Sequence, residues 1–184
     1  MDQPTLHSSR ILLRPFSLDD AATVKSLAGE YEIADTTLSI PHPYEDGMAE
    51  QWISGHDEQF QAVTNAIFAI VQRKSLELIG AVSLTVAKDV RKAELGYWIG
   101  KPYWNQGYAT EAATSIIDYG FRHLRLNRIV ARHFVRNPAS GRVMQKVGMV
   151  QEGTLRKDLI KWGEFEDLHL YGLLRDEWND GISQ

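Results

Sequence analysis

The amino-acid sequence predicts an α/β protein in which a mixed β-sheet carries helices on both faces. Some segments alternate apolar residues with a period of two, as Leu95, Tyr97 and Ile99 do, which is typical of strands. Others repeat apolar residues every three or four positions, as the segment from Ala109 to Leu124 does, which is typical of helices. These segments follow one another in the order β-α-α-β-β-β-α-β-α-β-β, and this order predicts the mixed sheet.

The first half of the chain contains three predicted strands and two predicted helices. These are a strand over Arg10–Phe16, helices from Ser17 to about Ala28 and over Glu45–Gln61, and strands over Ala66–Gln72 and Leu78–Val86. Ser17 can cap the first helix, because its hydroxyl can accept a hydrogen bond from a main-chain N–H. Pro41 and Pro43 predict a loop over Asp35–Asp46.

The second half of the chain alternates strands with two helices. These are a strand that includes Glu94 to Ile99, a helix from Ala109, a strand over Arg128–Val135, a helix over Pro138–Val147, and strands over Val150–Leu159 and Phe165–Leu174. Trp162 and Gly163 form the turn between the last two strands. No repeat or linker interrupts the 184 residues, so we expect one domain over residues 1–184 with its core at about 10–178.

Composition and charge exclude several classes of protein. The net charge is −4 and no basic run is present, which argues against a nucleic-acid partner. The absence of cysteine excludes Cys-ligated zinc, and the six histidines show no ligand spacing, so we predict no metal site. No apolar run approaches the ~20 residues that span a bilayer, and residues 1–4 lack the character of a signal peptide. We therefore expect a cytoplasmic protein with no membrane partner.

The segment Asn105-Gln106-Gly107-Tyr108-Ala109 joins a predicted strand to the helix that follows it. The segment lacks bulky β-branched residues, so several backbone N–H groups can point the same way. Free N–H groups at a helix N-terminus, together with the helix dipole, favour a bound phosphate. Because such junctions are common in α/β proteins, Gly107 alone supports this site only weakly.

The wider pattern around this loop resembles a known family. Trp104-x-x-Gly107-x-Ala109, followed by Thr110-Glu111-Ala112, is similar to the pyrophosphate loop of the GNAT N-acetyltransferase superfamily, and more narrowly to its RimJ/RimL-like branch, which acetylates protein N-termini. The superfamily pattern opens with Gln or Arg where this chain has Trp104. The resemblance covers residues 10 to about 178, and it is specific only between residues 94 and 153. It implies a GNAT-like acyl-CoA N-acyltransferase fold with a mostly antiparallel sheet.

The resemblance also implies that acetyl-CoA is the co-substrate. In this superfamily the loop amides hold the pyrophosphate, and the strand before the loop splays from its neighbour, so that the gap admits the pantetheine arm. The residues implied to bind acetyl-CoA are Tyr97, Trp98, Ile99, Trp104, Asn105, Gln106, Gly107, Tyr108, Ala109, Thr110, Asn137 and Arg142. A main-chain N–H around Trp98 or Ile99 would polarise the thioester carbonyl.

The motif Asn137-Pro-Ala-Ser140 has two interpretations, and both stay open. Asn137 is a favourable helix N-cap, with Pro138 at the first helical position. In GNAT enzymes an Asn at this place contacts the pantetheine arm. Arg142 would either pair with a cofactor phosphate or face solvent.

Acetyl transfer to an amine requires that the ammonium lose a proton and that the departing thiolate be stabilised. Glu94 lies on the strand that would carry acetyl-CoA, where many GNAT enzymes have a catalytic Glu that acts through water, so Glu94 is the predicted base. A salt bridge to Arg91 or Lys92, or plain exposure, would explain Glu94 equally well.

The general acid is predicted from a departure in the pattern. Some N-terminal acetyltransferases of the superfamily have a Tyr seven residues after the motif Asn, where this chain has Met144, which cannot donate a proton. Ser140 is the predicted substitute, as in the RimL-like branch, although a first-turn serine often bonds its own backbone instead. Tyr171 and water are the other donors that stay open.

The acceptor is expected to be a primary amine, in the first place a protein or peptide N-terminal α-amine that attacks acetyl-CoA directly in a ternary complex. His42 and Tyr44 are the predicted acceptor-binding residues, because they lie in a loop that resembles the acceptor region of this branch; exposure alone would also explain a loop histidine. Two alternatives stay open: an acetyltransferase for a polyamine, amino acid or amino sugar, and a non-catalytic acyl-CoA-binding sensor. We also leave a homodimer open.

Overall fold

The computed structural model of the protein describes residues 2–178. The strands are β1 (Leu6–His7), β2 (Ile11–Arg14), β3 (Asn65–Gln72), β4 (Leu78–Ala87), β5 (Lys92–Ile99), β6 (Arg128–Phe134), β7 (Val150–Lys161) and β8 (Glu164–Leu174). The helices are α1 (Ala21–Ala28), α2 (Tyr31–Thr36), α3 (Met48–Ser54), α4 (His56–Gln61), α5 (Tyr108–Arg122) and α6 (Pro138–Lys146). The domain predicted over residues 1–184 includes residue 1 and residues 179–184, which lie outside the described residues, and its extent stays a prediction.

The strands of residues 2–178 form one sheet in the order β1-β2-β3-β4-β5-β6-β8-β7. Every neighbouring pair is antiparallel except β5 and β6, which are parallel. A parallel pair needs a crossover connection, and α5 provides it. The predicted mixed, mostly antiparallel sheet is confirmed.

The two faces of the sheet bury alternate side chains of the same strand. In β3, Phe68 belongs to a core cluster with Ile117 of α5. Its neighbour Ala69 belongs to a second cluster with Val24 of α1 and Ile53 of α3. Because successive side chains of a strand point to opposite faces, α5 covers one face, and α1 and α3 cover the other. The helices on both faces are therefore as predicted.

The helix predicted over Glu45–Gln61 is wrong in extent, because two glycines divide it. Gly47 has φ +84°, a left-handed conformation that no α-helix contains, so α3 begins only at Met48. Gly55 separates α3 from α4. A glycine inside a helix lowers the stability of the helix by about 1 kcal/mol relative to alanine, and Gly55 lies at the break.

Three short elements differ from the prediction. The first helix begins at Ala21 rather than at Ser17, after a 3-10 turn whose Asp20 carboxylate accepts hydrogen bonds from the Ser17 N–H and the Arg14 guanidinium. Strand β1 and helix α2 were not predicted. Each is too short to show a sequence period. Helix α2 also depends on a residue far away in the sequence, since Arg136 donates to Asp35 at 2.9 Å.

Candidate active site

A gap opens inside the sheet between its two parallel strands. β5 and β6 are paired over only three residue pairs, the last of which is Glu94 opposite Val130. Beyond this pair β5 runs on to Ile99 and β6 to Phe134. Beyond Glu94 and Val130, the backbone groups of β5 that face β6 therefore form no strand pairing with it. The separation is the splay that the resemblance implied.

A cavity of about 630 Å³ lies beside this gap. Its walls come from α1, residues 36–41, α3, strands β3 to β6, and α6. Five of the predicted site residues line it: Tyr44, Glu94, Tyr97, Trp98 and Ser140. The cavity thus brings together the predicted base, the predicted acid and one predicted acceptor-binding residue. Outside its lining lie His42, Ile99, Asn137, Arg142 and the loop at residues 104–110.

The Glu94 carboxylate is held by an arginine that sequence analysis did not identify. Arg132 of β6 donates to both Glu94 oxygens, through Nε at 2.9 Å and Nη2 at 3.2 Å. Arg132 also reaches Asp158 at 3.5 Å. The ion-pair partner is therefore neither Arg91 nor Lys92, because the sheet register brings β6 alongside Glu94. The arginine fixes the orientation of the carboxylate at the edge of the cavity, where about a third of its side chain (36%) remains exposed.

Two hydroxyl groups meet across the gap. The Tyr97 Oη lies 2.8 Å from the Ser140 Oγ and 3.0 Å from the Ser140 carbonyl oxygen, to which it can donate. Burial raises the pKa of Tyr97, so its hydroxyl keeps its proton at neutral pH. Tyr97 was predicted to contact the cofactor, but its pairing with Ser140 was not predicted, because nothing in the sequence relates the two residues.

The other proton-donor candidates lie in different surroundings. Met144 is buried and lines the cavity, and its thioether has no proton to donate. The Tyr171 hydroxyl is buried between Gln145 and Gln151, at 3.4 and 3.3 Å, and does not line the cavity. The geometry therefore favours the Ser140 and Tyr97 pair over Tyr171.

The predicted pyrophosphate loop has unused backbone donors. Asn105 and Gly107 are left-handed, with φ of 59° and 83°, and they turn the chain from β5 into α5. Within residues 2–178 the main-chain N–H groups of residues 106–110 have no hydrogen-bond acceptor. The Trp104 indole donates to the Ile99 carbonyl and ties the loop to the end of β5. Several free donors thus meet the N-terminus of a 15-residue helix.

Asn137 caps α6, as the sequence predicted. Its side-chain oxygen accepts from the Ser140 N–H at 3.4 Å, and its amide donates to the Thr36 carbonyl at 3.4 Å. Arg142 is exposed and makes no ion pair with the described part of the chain. The implied contacts of both residues with acetyl-CoA stay predictions.

Asn137→Ala is expected to have two separable effects. Loss of the cap should cost about 1 kcal/mol of stability, seen as a lower melting temperature. Loss of a pantetheine contact should raise the dissociation constant of acetyl-CoA in calorimetry. Asn137→Asp is the matched control for the cap, because it keeps the capping oxygen. A lower melting temperature with unchanged affinity would show that Asn137 is only a cap.

The loop that was predicted to bind the acceptor is held by a distant lysine. Lys161, at the end of β7, is buried and donates to the carbonyls of Thr37 and Ile40 at 3.0 and 3.2 Å. Tyr44 faces the cavity, and burial raises its pKa. His42 is exposed, with Nδ1 at 3.2 Å from the Gly29 carbonyl, so it lies near the cavity without lining it. No sequence signal identified Lys161, since it is 121 or more residues from its partners.

His133 is a further cavity residue that sequence analysis missed. Its ring is buried beneath α6, where a Cβ on Gly141 would come within 2.7 Å of Nε2. Burial lowers the pKa of His133, and its Nε2 has no partner among residues 2–178. In this range no group of three acidic or histidine side chains is arranged to hold a metal ion. Nor does the described chain contain a helix long and apolar enough to cross a membrane.

The family follows from the comparison with known proteins. The family described as Acetyltransferase (GNAT) domain matches residues 10–150 of the chain. The protein therefore belongs to the GNAT family and is an acetyl-CoA-dependent N-acetyltransferase. The predicted family and activity are confirmed.

Three known proteins illustrate the similarity. The uncharacterized N-acetyltransferase YnaD of Bacillus subtilis (strain 168) is 30% identical over 172 residues, which make up 94% of this chain and 98% of that protein. The ribosomal-protein-serine acetyltransferase of Escherichia coli (strain K12) is 31% identical over 104 residues, or 56% of this chain and 58% of that protein. The fold also matches that of Mycobacterium smegmatis RimJ, solved in complex with CoA-disulfide, with a TM-score of 0.88 at 22% identity over 98% of this chain and 92% of that one. The RimJ/RimL-like resemblance is confirmed at this level.

Proposed function

We propose that the protein acetylates the α-amine at the N-terminus of a protein or peptide, by direct attack on acetyl-CoA in a ternary complex. The observation that carries the proposal is that Tyr44, Glu94, Tyr97 and Ser140 all line one cavity. An amine bound in this cavity would therefore share it with the proposed base and the proposed acid. The E. coli relative, which by its name acts on a ribosomal protein, supports a protein acceptor. The proposal includes a cytoplasmic location.

Glu94 is the proposed base. Because Arg132 holds both of its oxygens, the carboxylate is oriented before substrate arrives, and each oxygen keeps a lone pair for a water molecule or for the amine. An α-amine has a pKa of about 8, so the base has to remove a proton that is already labile near neutral pH.

Ser140 is the proposed proton donor to the sulfur. As the carbon–sulfur bond breaks, the Ser140 hydroxyl gives its proton to the departing thiolate. Tyr97, whose hydroxyl lies 2.8 Å from the Ser140 Oγ, would turn its proton from the Ser140 carbonyl to the Oγ and replace the lost one, and water would then reprotonate Tyr97. A main-chain N–H of β5 around Trp98 or Ile99 would polarise the carbonyl, in the segment that has lost β6 as a partner.

The charge of the cavity favours an acceptor whose only charge is its amine. Glu94 and Arg132 are the acidic and basic side chains among the lining residues, and they neutralise each other. The rest of the wall is apolar or carries neutral groups such as Thr37, Ser39 and Gln51. A polyamine carries several cations and would need more carboxylates than this wall provides.

An acceptor screen at fixed acetyl-CoA tests the proposal. Peptides that begin with Ser, Ala or Thr, the same peptides with a blocked α-amine, spermidine and free amino acids would be compared by release of free thiol. We expect turnover with the unblocked peptides alone. Turnover confined to spermidine or amino acids would contradict the proposed acceptor, and acetyl-CoA binding without turnover on any amine would favour the sensor.

Ser140→Ala is expected to lower kcat by ~10-fold to 10²-fold while acetyl-CoA binding stays nearly unchanged. The effect is limited because a thiolate with a pKa of about 8.5 can leave partly unassisted. Ser115→Ala is the matched control, since Ser115 is a helix serine whose hydroxyl donates to the Glu111 backbone carbonyl at 3.0 Å. An unchanged kcat in Ser140→Ala, measured where chemistry limits turnover, would assign the donor role to Tyr97 or to water.

A further inference from the structure

Glu111, in the first turn of α5, is surrounded by hydrogen-bond donors from residues 8–10. Its Oε1 accepts from the hydroxyls of Ser8 and Ser9 and from the Arg10 N–H, at 2.8, 3.0 and 2.8 Å. Its Oε2 accepts from Arg10 Nε at 2.8 Å. The Glu111 side chain is only 12% exposed. A segment some hundred residues away in sequence is thus fitted around this carboxylate.

The carboxylate is ionised at neutral pH. Burial alone would raise the pKa of Glu111, but the N–H of Arg10 and the side chains of Ser8, Arg10 and Ser9 together hold it below its ordinary value. An anion at this place would compete with a phosphate for the same helix N-terminus, since both are attracted by the same end of the dipole. The charge of Glu111 therefore has to be compensated if a diphosphate is to bind beside it.

Arg10 also shapes the loop itself. Its Nη1 donates to the Gln106 carbonyl at 2.9 Å, and its guanidinium lies over the Tyr108 ring at 4.8 Å. In a trans peptide the carbonyl and the next N–H point in opposite directions. Since the Gln106 carbonyl is held toward Arg10, the Gly107 N–H is turned to the other side of the loop, where it has no acceptor within residues 2–178.

We propose that Arg10 is a positioning residue for the diphosphate of acetyl-CoA. Arg10 compensates the charge of Glu111 and fixes the direction of the Gly107 N–H. This inference rests on the proposed place of the cofactor on the loop at residues 106–110. Arg10 acts through Glu111 and the loop, and it requires no contact with the cofactor. Its expected signature is a change in acetyl-CoA affinity that depends on the charge of Glu111.

Calorimetric titration of the full chain with CoA tests the inference. Arg10→Gln is expected to raise the dissociation constant by about tenfold, because an uncompensated carboxylate then faces the diphosphate. The double variant Arg10→Gln with Glu111→Gln should recover most of the lost affinity. In turnover, Arg10→Gln should raise KM for acetyl-CoA and leave kcat unchanged. Arg14→Gln is the matched control: Arg14 lies on β2, pairs with Asp20, and should affect stability without affecting CoA affinity.

Three outcomes would overturn the inference. Arg10→Gln with a lower melting temperature and unchanged CoA affinity would make Arg10 a fold contact only. If the double variant bound CoA no more tightly than Arg10→Gln, compensation of the Glu111 charge would be excluded as the cause. If Arg14→Gln weakened CoA binding as much as Arg10→Gln does, the lost affinity would reflect a general loss of stability. Gly107→Val separates these from failure of the loop assignment: if it too leaves CoA affinity unchanged in a folded protein, the cofactor lies elsewhere and the proposed site fails with the inference.

Discussion

Gly107→Val is expected to weaken acetyl-CoA binding by about a hundredfold in a protein that still folds. Gly107 has φ +83° at the N-cap of α5, a conformation that costs an ordinary residue ~1–2 kcal/mol and a β-branched residue more. The valine would therefore pull the loop out of the conformation in which its N–H groups face the diphosphate. Its Cβ would also lie 3.3 Å from Arg10 Nη2, so the Arg10 side chain would have to shift.

The measurement is calorimetry with acetyl-CoA, alongside a melting curve. Gly163→Val is the matched control, because Gly163 has φ +87° in the turn between β7 and β8 and a Cβ there meets nothing within 4 Å. Both variants carry the same backbone strain, so both should lose stability, but only Gly107→Val should lose affinity. If folded Gly107→Val bound acetyl-CoA with unchanged affinity, the loop would not be the diphosphate site.

Glu94→Gln is expected to lower turnover by ~10² or more at neutral pH, with the acceptor that the screen selects. The substitution keeps the shape of the side chain and removes its ability to accept the amine proton. The deficit should shrink as pH rises through the pKa of the acceptor α-amine, about 8, because solution then supplies the free amine. A pH profile of kcat/KM for both proteins measures this convergence.

Asp158→Asn is the matched control for Glu94. Asp158 is the second carboxylate on Arg132, at 3.5 Å and similarly exposed, so its loss perturbs the same ion-pair group without removing the proposed base. Turnover should survive in Asp158→Asn and fall in Glu94→Gln. Near wild-type turnover in Glu94→Gln, or an equal fall in both variants, would make Glu94 a structural partner of Arg132.

The parts of the fold that were predictable are those whose pattern is local. The buried run at Ala66–Gln72 and the change of period at Ala109 each placed an element to within a residue or so of β3 and α5. Gly55 was not predictable as a break, because a single glycine is tolerated in many helices and only tertiary packing decides. Helix α2 has six residues, and some of its hydrogen bonds come from a distant part of the sequence, such as the one that Arg136 donates to Asp35.

The same division applies to the candidate site. Glu94, Ser140 and the loop around Gly107 were proposed from motifs, in which each residue is recognised by its close neighbours. Arg132 was missed because its relation to Glu94 exists only in the register of two parallel strands. Tyr97 was assigned to the cofactor by position, and its pairing with Ser140 appears only when β5 and α6 face each other across the gap.

The separation of β5 from β6 creates two strand edges in the middle of the sheet. An edge offers a row of unpaired N–H and C=O groups to anything that carries amides in an extended chain. The pantetheine arm of coenzyme A contains two amide groups, so it can be accepted there as if it were a short piece of backbone. A simple thioester without amides leaves both edges unpaired. Selectivity for the acyl donor can therefore come from main-chain hydrogen bonding, which side-chain substitutions along the gap leave largely intact.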